Sequence, residues 1–101
     1  MEKRKPHYVL AEIKAAFANP DSLNRTVTSM QGAHHLGMDD AAVVAVIQAL
    51  SSSDFDKSMT SVASHKIWQD VYRLVVEDQT IYIKFTIDAQ GAFLLISFKE
   101  A

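Results

Sequence analysis

The spacing of apolar residues changes once along this chain, at the serines of residues 51–53. Before the serines, apolar residues recur every three or four positions, as on one face of an α-helix. After them, apolar and polar residues alternate, and β-branched and aromatic residues become frequent, which is typical of β-strands. Helices followed by strands define the α+β class. We therefore predict three N-terminal helices, with a short edge strand, packed on a mainly antiparallel C-terminal sheet.

The first helix and the edge strand are predicted before residue 28. Basic residues precede Pro6 and are expected to form a solvated arm, because proline is tolerated in the first turn of a helix that follows. Apolar residues recur at helical spacing over residues 7–18, and Pro20 then stops the helix. Residues 25–27 are too few for more than an edge strand.

The second and third helices are predicted from their capping residues. Thr28 and Gln31 have the spacing of a capping box, so the second helix is expected to run from there to Leu36. Gly37 then supplies a left-handed residue, and Asp39 caps the third helix. The third helix has an apolar stripe that is expected in the core, formed by Val43, Val44, Ile47 and Leu50.

Four strands are predicted after the serines, at residues 55–60, 67–76, 81–88 and 93–100. The loop between the last two strands sets Asp88 opposite Phe93 if both strands continue to the loop. The same register places Tyr82 opposite Lys99. These two side chains are therefore expected side by side on one face, within reach of Gln69.

A turn over residues 77–80 gives the register of the preceding hairpin. It sets Val76 opposite Ile81 and, further along, Arg73 opposite Lys84. Like charges that face each other destabilise a strand pair unless an anion lies between them. A phosphate group would satisfy this condition.

The two registers together assign the strand residues to two faces. The face expected under the helices is apolar and comprises Trp68, Tyr72, Leu74, Val76, Ile81, Ile83, Phe85, Ile87, Leu94, Ile96 and Phe98. The other face mixes basic, polar and apolar residues, namely Gln69, Val71, Arg73, Val75, Tyr82, Lys84, Thr86, Leu95, Ser97 and Lys99. This second face is interpreted either as an ordinary solvent-exposed sheet face or as a binding site for an anionic ligand.

Composition limits the possible functions. With 101 residues, no cysteine and no long apolar run, the chain is expected to form one cytoplasmic domain without disulfides, thiolate metal sites or a membrane span. Its formal charge of -2 gives no general attraction to nucleic acid, so any RNA site must be local. His34 and His35 point about 100° apart on a helix, a poor geometry for one metal ion. We expect neither a metal nor a cofactor.

Four segments of the chain resemble the signature of the motility quorum-sensing regulator toxins. They are residues 53–60 (SDFDKSMT), 65–73 (HKIWQDVYR), 96–100 (ISFKE) and 1–7 (MEKRKPH). The resemblance implies a RelE-like toxin fold and a type II toxin that cleaves mRNA without the ribosome at GC-containing sites. It also implies a cognate antitoxin, which we expect to pair with an edge of the sheet instead of covering the active residues.

The resemblance also implies site residues. The family's catalytic set falls on Lys57, Gln69, Tyr82 and Lys99 of this sequence, with Met59 and Arg73 as neighbours in the RNA site. Lys84 is added as an RNA-binding cation from the face assignment. The register by itself does not place Lys57.

One position departs from the family pattern. Asp56 stands beside Lys57, where the family often has an aromatic residue that could stack on a base. We expect the aspartate to repel phosphate and to weaken RNA binding. The acidic balance of the chain favours an alternative function, a non-catalytic protein-binding module that acts with an antitoxin in transcriptional regulation.

Metal-free RNA cleavage by this chain would use the neighbouring 2'-OH of the RNA as the nucleophile. Such a reaction needs a base at that oxygen, an acid at the leaving 5'-oxygen and cations around the phosphorus. Lysine and tyrosine can carry these protons only where neighbouring charges favour the required state. The sequence leaves open which residue is the base.

Overall fold

The computed structural model describes all 101 residues and confirms the α+β prediction. The helices are α1 (Leu10–Ala16), α2 (Val27–His35) and α3 (Asp40–Gln48). The strands are β1 (Glu2–Lys3), β2 (Phe55–Thr60), β3 (Trp68–Val76), β4 (Gln79–Ile87) and β5 (Phe93–Glu100). The strands form one sheet in the order β1-β2-β3-β4-β5, and every neighbouring pair is antiparallel. None of the helices has the length and apolar content needed to cross a membrane.

The basic arm predicted to be solvated contains β1, which pairs with β2. Glu2 lies opposite Met59 and Lys3 lies opposite Ser58. A two-residue strand carries no readable alternation, so the sequence pattern did not reveal this pairing. The arm is mostly exposed, as predicted, but it also forms the edge of the sheet, which begins at residue 2.

Helix α1 starts three residues later than predicted because Asp70 binds the backbone in front of it. The carboxylate of Asp70 is fully buried on β3. Its oxygens accept hydrogen bonds from the backbone N-H groups of His7 (3.0 Å) and Tyr8 (2.9 Å) and from the hydroxyl of Ser58 (2.6 Å). These bonds hold residues 7 and 8 outside the helix and fasten the N-terminal segment to β2 and β3.

The helix caps agree with the sequence analysis in part. Gly37 has a positive φ of 74°, and Asp39 accepts from the N-H of Ala42 at 2.9 Å, as predicted. Helix α2 instead begins after Thr26, whose hydroxyl accepts from the N-H of Ser29 at 3.1 Å. The edge strand predicted over residues 25–27 is reduced to a single parallel bridge between Arg25 and Leu95.

The β3–β4 hairpin closes through two residues instead of four. Val76 pairs with Gln79, and Glu77 in the turn has a positive φ of 55°. The register therefore differs from the predicted one by two positions, which leaves the faces unchanged. Arg73 lies opposite Tyr82 and Lys84 lies opposite Val71, so the predicted pairing of Arg73 with Lys84 is wrong.

The β4–β5 hairpin contains a bulge that the sequence analysis missed. Tyr82 lies opposite Lys99, as predicted, but the register shifts after Lys84, and Phe85 lies opposite Leu95. Because a one-residue shift reverses the faces, Leu95 is fully buried in the core, where Leu94 had been expected. The predicted pairing at the loop is also wrong, since Phe93 lies opposite Ile87.

The core lies between the helices and one face of the sheet. Its buried side chains are Ile13, Phe17, Ala33, Val43, Val46, Ile47, Leu50, Tyr72, Ile81, Ile83, Phe85, Leu95 and Phe98. On α3, Val46 takes the buried position that had been predicted for Val44. Each large side chain buried here stabilises the fold by about 1.5 to 3 kcal/mol.

Gly32 allows α2 to approach β5 closely, and Gly32→Ala is expected to destabilise the protein. A Cβ atom at this position would lie 2.1 Å from the carbonyl oxygen of Phe98. We expect a loss of about 1 to 3 kcal/mol in the free energy of unfolding in urea. At an unobstructed helical site the same substitution stabilises by up to about 1 kcal/mol, so a neutral or stabilising result would contradict the close approach.

Asp70→Asn is expected to lower the free energy of unfolding by about 2 to 3 kcal/mol, because an amide nitrogen replaces an acceptor oxygen among buried donors. Denaturant titration measures this change. Asp78→Asn is the control, since Asp78 is exposed in the β3–β4 turn and its substitution is expected to stay within about 0.5 kcal/mol. Equal effects of the two substitutions would show that the buried bonds of Asp70 contribute little.

Candidate functional site

The face of the sheet that points away from the core carries every expected site residue. In its first row, Arg73, Tyr82 and Lys99 lie on β3, β4 and β5. In its second row, Lys57 and Lys84 flank Val71, and in its third row Met59 lies opposite Gln69. We call this surface the outer face. Lys57, which the register had not placed, thus projects from the same surface as Tyr82.

The rows separate the expected residues into two groups. Successive rows are two residues apart along a strand, or about 7 Å. Gln69 lies four residues from Arg73 on β3, so it is about 13 Å from the row that contains Tyr82. The prediction that Gln69 lies within reach of Tyr82 is therefore wrong. Gln69 and Met59 form a separate part of the outer face.

Three cations surround the ring of Tyr82. The guanidinium carbon of Arg73 lies 5.3 Å from the ring centroid, and the ammonium nitrogens of Lys99 and Lys84 lie at 5.4 and 5.6 Å. Each distance is within the range in which an aromatic ring attracts a cation. The tyrosine therefore sits at the centre of the most positively charged part of the outer face.

Two of the four cations on the outer face are paired with carboxylates. Lys57 Nζ lies 3.4 Å from Glu2 Oε1, and Arg73 Nε lies 3.1 Å from Asp56 Oδ2. The third ion pair of the protein joins Arg25 to Asp40, away from this face. Lys84 and Lys99 form no ion pair within the chain, so they remain available to an external anion.

Val71 is a buried residue between the two lysines of the second row. This valine points to the outer face, yet it is fully buried. Its neighbours across the strands are Lys57 and Lys84, whose alkyl chains are long enough to cover it while the ammonium groups stay in solvent.

The N-terminal strand is held by a cluster on the helix side of the sheet. The rings of His7 and Trp68 are stacked with centroids 5.5 Å apart, and Lys3 Nζ lies 4.1 Å from the Trp68 ring. Burial, and then the charge of Lys3, lower the pKa of His7. These contacts fix β1 and thereby keep Glu2 beside Lys57.

Glu2 and the partner of Asp56 are the features of this site that sequence reasoning missed. Glu2 belongs to a two-residue strand, which has no periodicity to read. Asp56 had been noticed as a departure, but its ion pair with Arg73 depends on strand pairing. No group of three or more histidine, aspartate or glutamate side chains is arranged to hold a metal ion.

The fold and the outer face together define a small α+β protein with a cluster of cations on one face of an antiparallel sheet. The chain belongs to the motility quorum-sensing regulator toxin family, described as "Motility quorum-sensing regulator, toxin of MqsA", which matches residues 5–100. It is similar to the mRNA interferase toxin MqsR of Escherichia coli (strain K12), with 41% identity over 100 residues, or 99% of each chain.

Proposed function

We propose that this protein is a type II toxin that cleaves mRNA in the cytoplasm and thereby inhibits translation and growth. Membership of the toxin family supports the proposal, and the Escherichia coli relative carries the name mRNA interferase. The main structural support is that three cations surround the ring of Tyr82. Two of them, Lys84 and Lys99, have no acidic partner within the protein. Unpaired cations beside a proton-carrying hydroxyl suit a phosphodiester substrate.

The phosphate to be cleaved binds beside Tyr82 in this proposal. Lys84 and Lys99 lie 5.6 and 5.4 Å from the ring centroid and supply two charges to the phosphate oxygens. Arg73 contributes a third charge through the nitrogens that Asp56 leaves free. Cations arranged before the substrate arrives stabilise the negative charge that develops on the phosphoryl oxygens in the transition state.

The nucleophile in this proposal is the 2'-OH of the RNA itself. Its oxygen attacks the adjacent phosphorus and loses its proton to a base, while the 5'-oxygen leaves with a proton from an acid. The outer face carries no histidine, and its carboxylates are engaged with Lys57 and Arg73. In this proposal, proton transfer falls to Tyr82 and the lysines, and no metal or cofactor takes part.

Gln69 and Met59 contact a neighbouring nucleotide rather than the reacting phosphate. Their row lies about 13 Å from Tyr82, a distance that spans more than one nucleotide. An amide such as that of Gln69 can donate to and accept from the edge of a base, while a methionine packs against its face. This pair is the part of the outer face suited to selecting GC-containing sites.

RNA cleavage by the purified protein tests the proposed function. In the presence of EDTA and without ribosomes, the parent protein is expected to cleave a structured mRNA. Lys57→Ala combined with Tyr82→Phe is expected to lower the rate by about 100-fold or more, because a proton carrier and a cation are lost.

The control for this experiment is Lys5→Ala, which removes an exposed positive charge outside the outer face. We expect this variant to cleave as fast as the parent. Undiminished cleavage by the double variant would contradict the proposed site. A parent protein that binds a partner but cleaves no RNA would favour the non-catalytic binding module instead.

We propose that the antitoxin partner of this toxin adds a strand next to β1. The opposite edge is already occupied, since Leu95 accepts from the N-H of Thr26 (3.0 Å) and donates to the carbonyl of Asn24 (2.9 Å). Gly32 of α2 also lies against the backbone of Phe98. The backbone groups along β1 and the exposed part of β2 remain for edge pairing.

Hydrogen exchange with and without the cognate antitoxin tests this docking. Binding is expected to bury about 1,200 to 2,000 Å² in total and to slow amide exchange in β1 and β2. The amides of β5 serve as the internal control, because β5 is the strand at the opposite edge of the sheet. We expect them to exchange at an unchanged rate. Protection confined to Tyr82 and Lys99 would instead show direct occlusion of the outer face.

A further inference from the structure

Asp56 occupies a bulge beside the candidate site. On β2, Phe55 lies opposite Tyr72 and Lys57 lies opposite Val71, so Asp56 is an extra residue without a partner on β3. Bulges bend a strand and aim the extra side chain in a direction that regular pairing does not allow. Here the bulge brings the carboxylate of Asp56 to Arg73 on the outer face.

The bond between Asp56 and Arg73 leaves part of the guanidinium free. Arg73 donates through Nε to Asp56 Oδ2 at 3.1 Å, and this is the only hydrogen bond of its side chain within the protein. The two terminal nitrogens, Nη1 and Nη2, therefore have no protein acceptor. Their fork matches two oxygens of a phosphate group.

Tyr82 contacts the same guanidinium from β4. The Arg73 group lies 5.3 Å from the Tyr82 ring, while Lys99 and Lys84 lie at 5.4 and 5.6 Å from that ring. Crowded cations repel one another, and a carboxylate next to Arg73 offsets this repulsion locally. The arginine is thus held between one anion and one aromatic ring.

We propose that Asp56 is a positioning residue, which holds the guanidinium of Arg73 against Tyr82 with Nη1 and Nη2 directed to the bound phosphate. The proposal rests on the proposed function, because it assigns a task at the same site. It also reverses the expectation from sequence that Asp56 acts only by repelling phosphate. The carboxylate acts through Arg73 and does not itself touch the RNA.

The rival explanation is that Asp56 competes with the RNA phosphate for the guanidinium of Arg73. An aspartate that merely occupies Arg73 in place of a phosphate would weaken RNA binding, and its removal would lower KM. A positioning aspartate affects the transition state, so its removal lowers kcat and leaves KM nearly unchanged. The two explanations therefore predict opposite effects of the same substitution.

Steady-state cleavage of a short RNA by Asp56→Ala and Asp56→Asn distinguishes the two explanations. We expect Asp56→Ala to lower kcat about ten- to hundredfold with KM within about twofold of the parent. Asp56→Asn is expected to recover most of the activity, because its amide oxygen still accepts from Arg73 Nε. A lower KM at unchanged kcat in both variants would overturn the proposal.

A double-mutant cycle shows whether Asp56 acts through Arg73. In an Arg73→Ala background, Asp56→Ala is expected to change kcat by less than about twofold. Asp78→Ala removes the same charge from the exposed β3–β4 turn and is expected to have no effect in either background. An undiminished effect of Asp56→Ala without Arg73 would overturn the proposal.

A measurement without cleavage separates this proposal from the proposed function. In ¹H–¹⁵N spectra of the full chain, the Nε–H of Arg73 is expected to exchange slowly with solvent in the parent and in Asp56→Asn. In Asp56→Ala the exchange is expected to be several-fold faster. Unchanged exchange would overturn the positioning contact even if the parent cleaves RNA, whereas a parent that cleaves no RNA would overturn only the proposed function.

Discussion

The buried carboxylate of Asp70 holds together three segments that are distant in sequence. A charge enclosed in a protein is costly unless hydrogen bonds replace its water, and Asp70 receives such bonds from two backbone amides and from Ser58. These bonds stop α1 from extending towards the N-terminus and place residues 7 and 8 against the sheet. The position of β1, and with it that of Glu2 beside Lys57, depends on this anchor.

The outer face explains how a chain with a net negative charge can present a local site suited to an anion. A net charge of -2 describes the whole molecule, but a phosphate responds to the charges within about one Debye length, roughly 8 Å at physiological salt. Within that range of Tyr82 the structure places three cations. Since exposed ion pairs contribute at most about 1 kcal/mol, the carboxylates of Glu2 and Asp56 contribute little to stability. Their effect is on the orientation and accessibility of the cations they touch.

The strands could be predicted from the sequence more accurately than their pairing. The bounds of β2 and β5 agree with those predicted, and Tyr82 lies opposite Lys99 as expected. The errors arose at turns and bulges, where one or two residues change the register. Because the turn at Glu77 has two residues, Arg73 lies opposite Tyr82 and not opposite Lys84. Because of the bulge after Lys84, the core contains Leu95 and not Leu94. Alternation reports which side a residue faces, but it contains no information on which residue lies opposite.

The sequence by itself determined the fold class, the membership of a toxin family and the side of the sheet on which Gln69, Arg73, Tyr82, Lys84 and Lys99 lie. These follow from hydrophobic periodicity and from motifs, which are local along the chain. Only the tertiary structure decided that β1 joins the sheet, that Gln69 is separated from Tyr82, and that Asp56 binds Arg73. Each of these depends on how segments that are distant in sequence pair in the sheet, and this pairing leaves no periodic trace in the sequence.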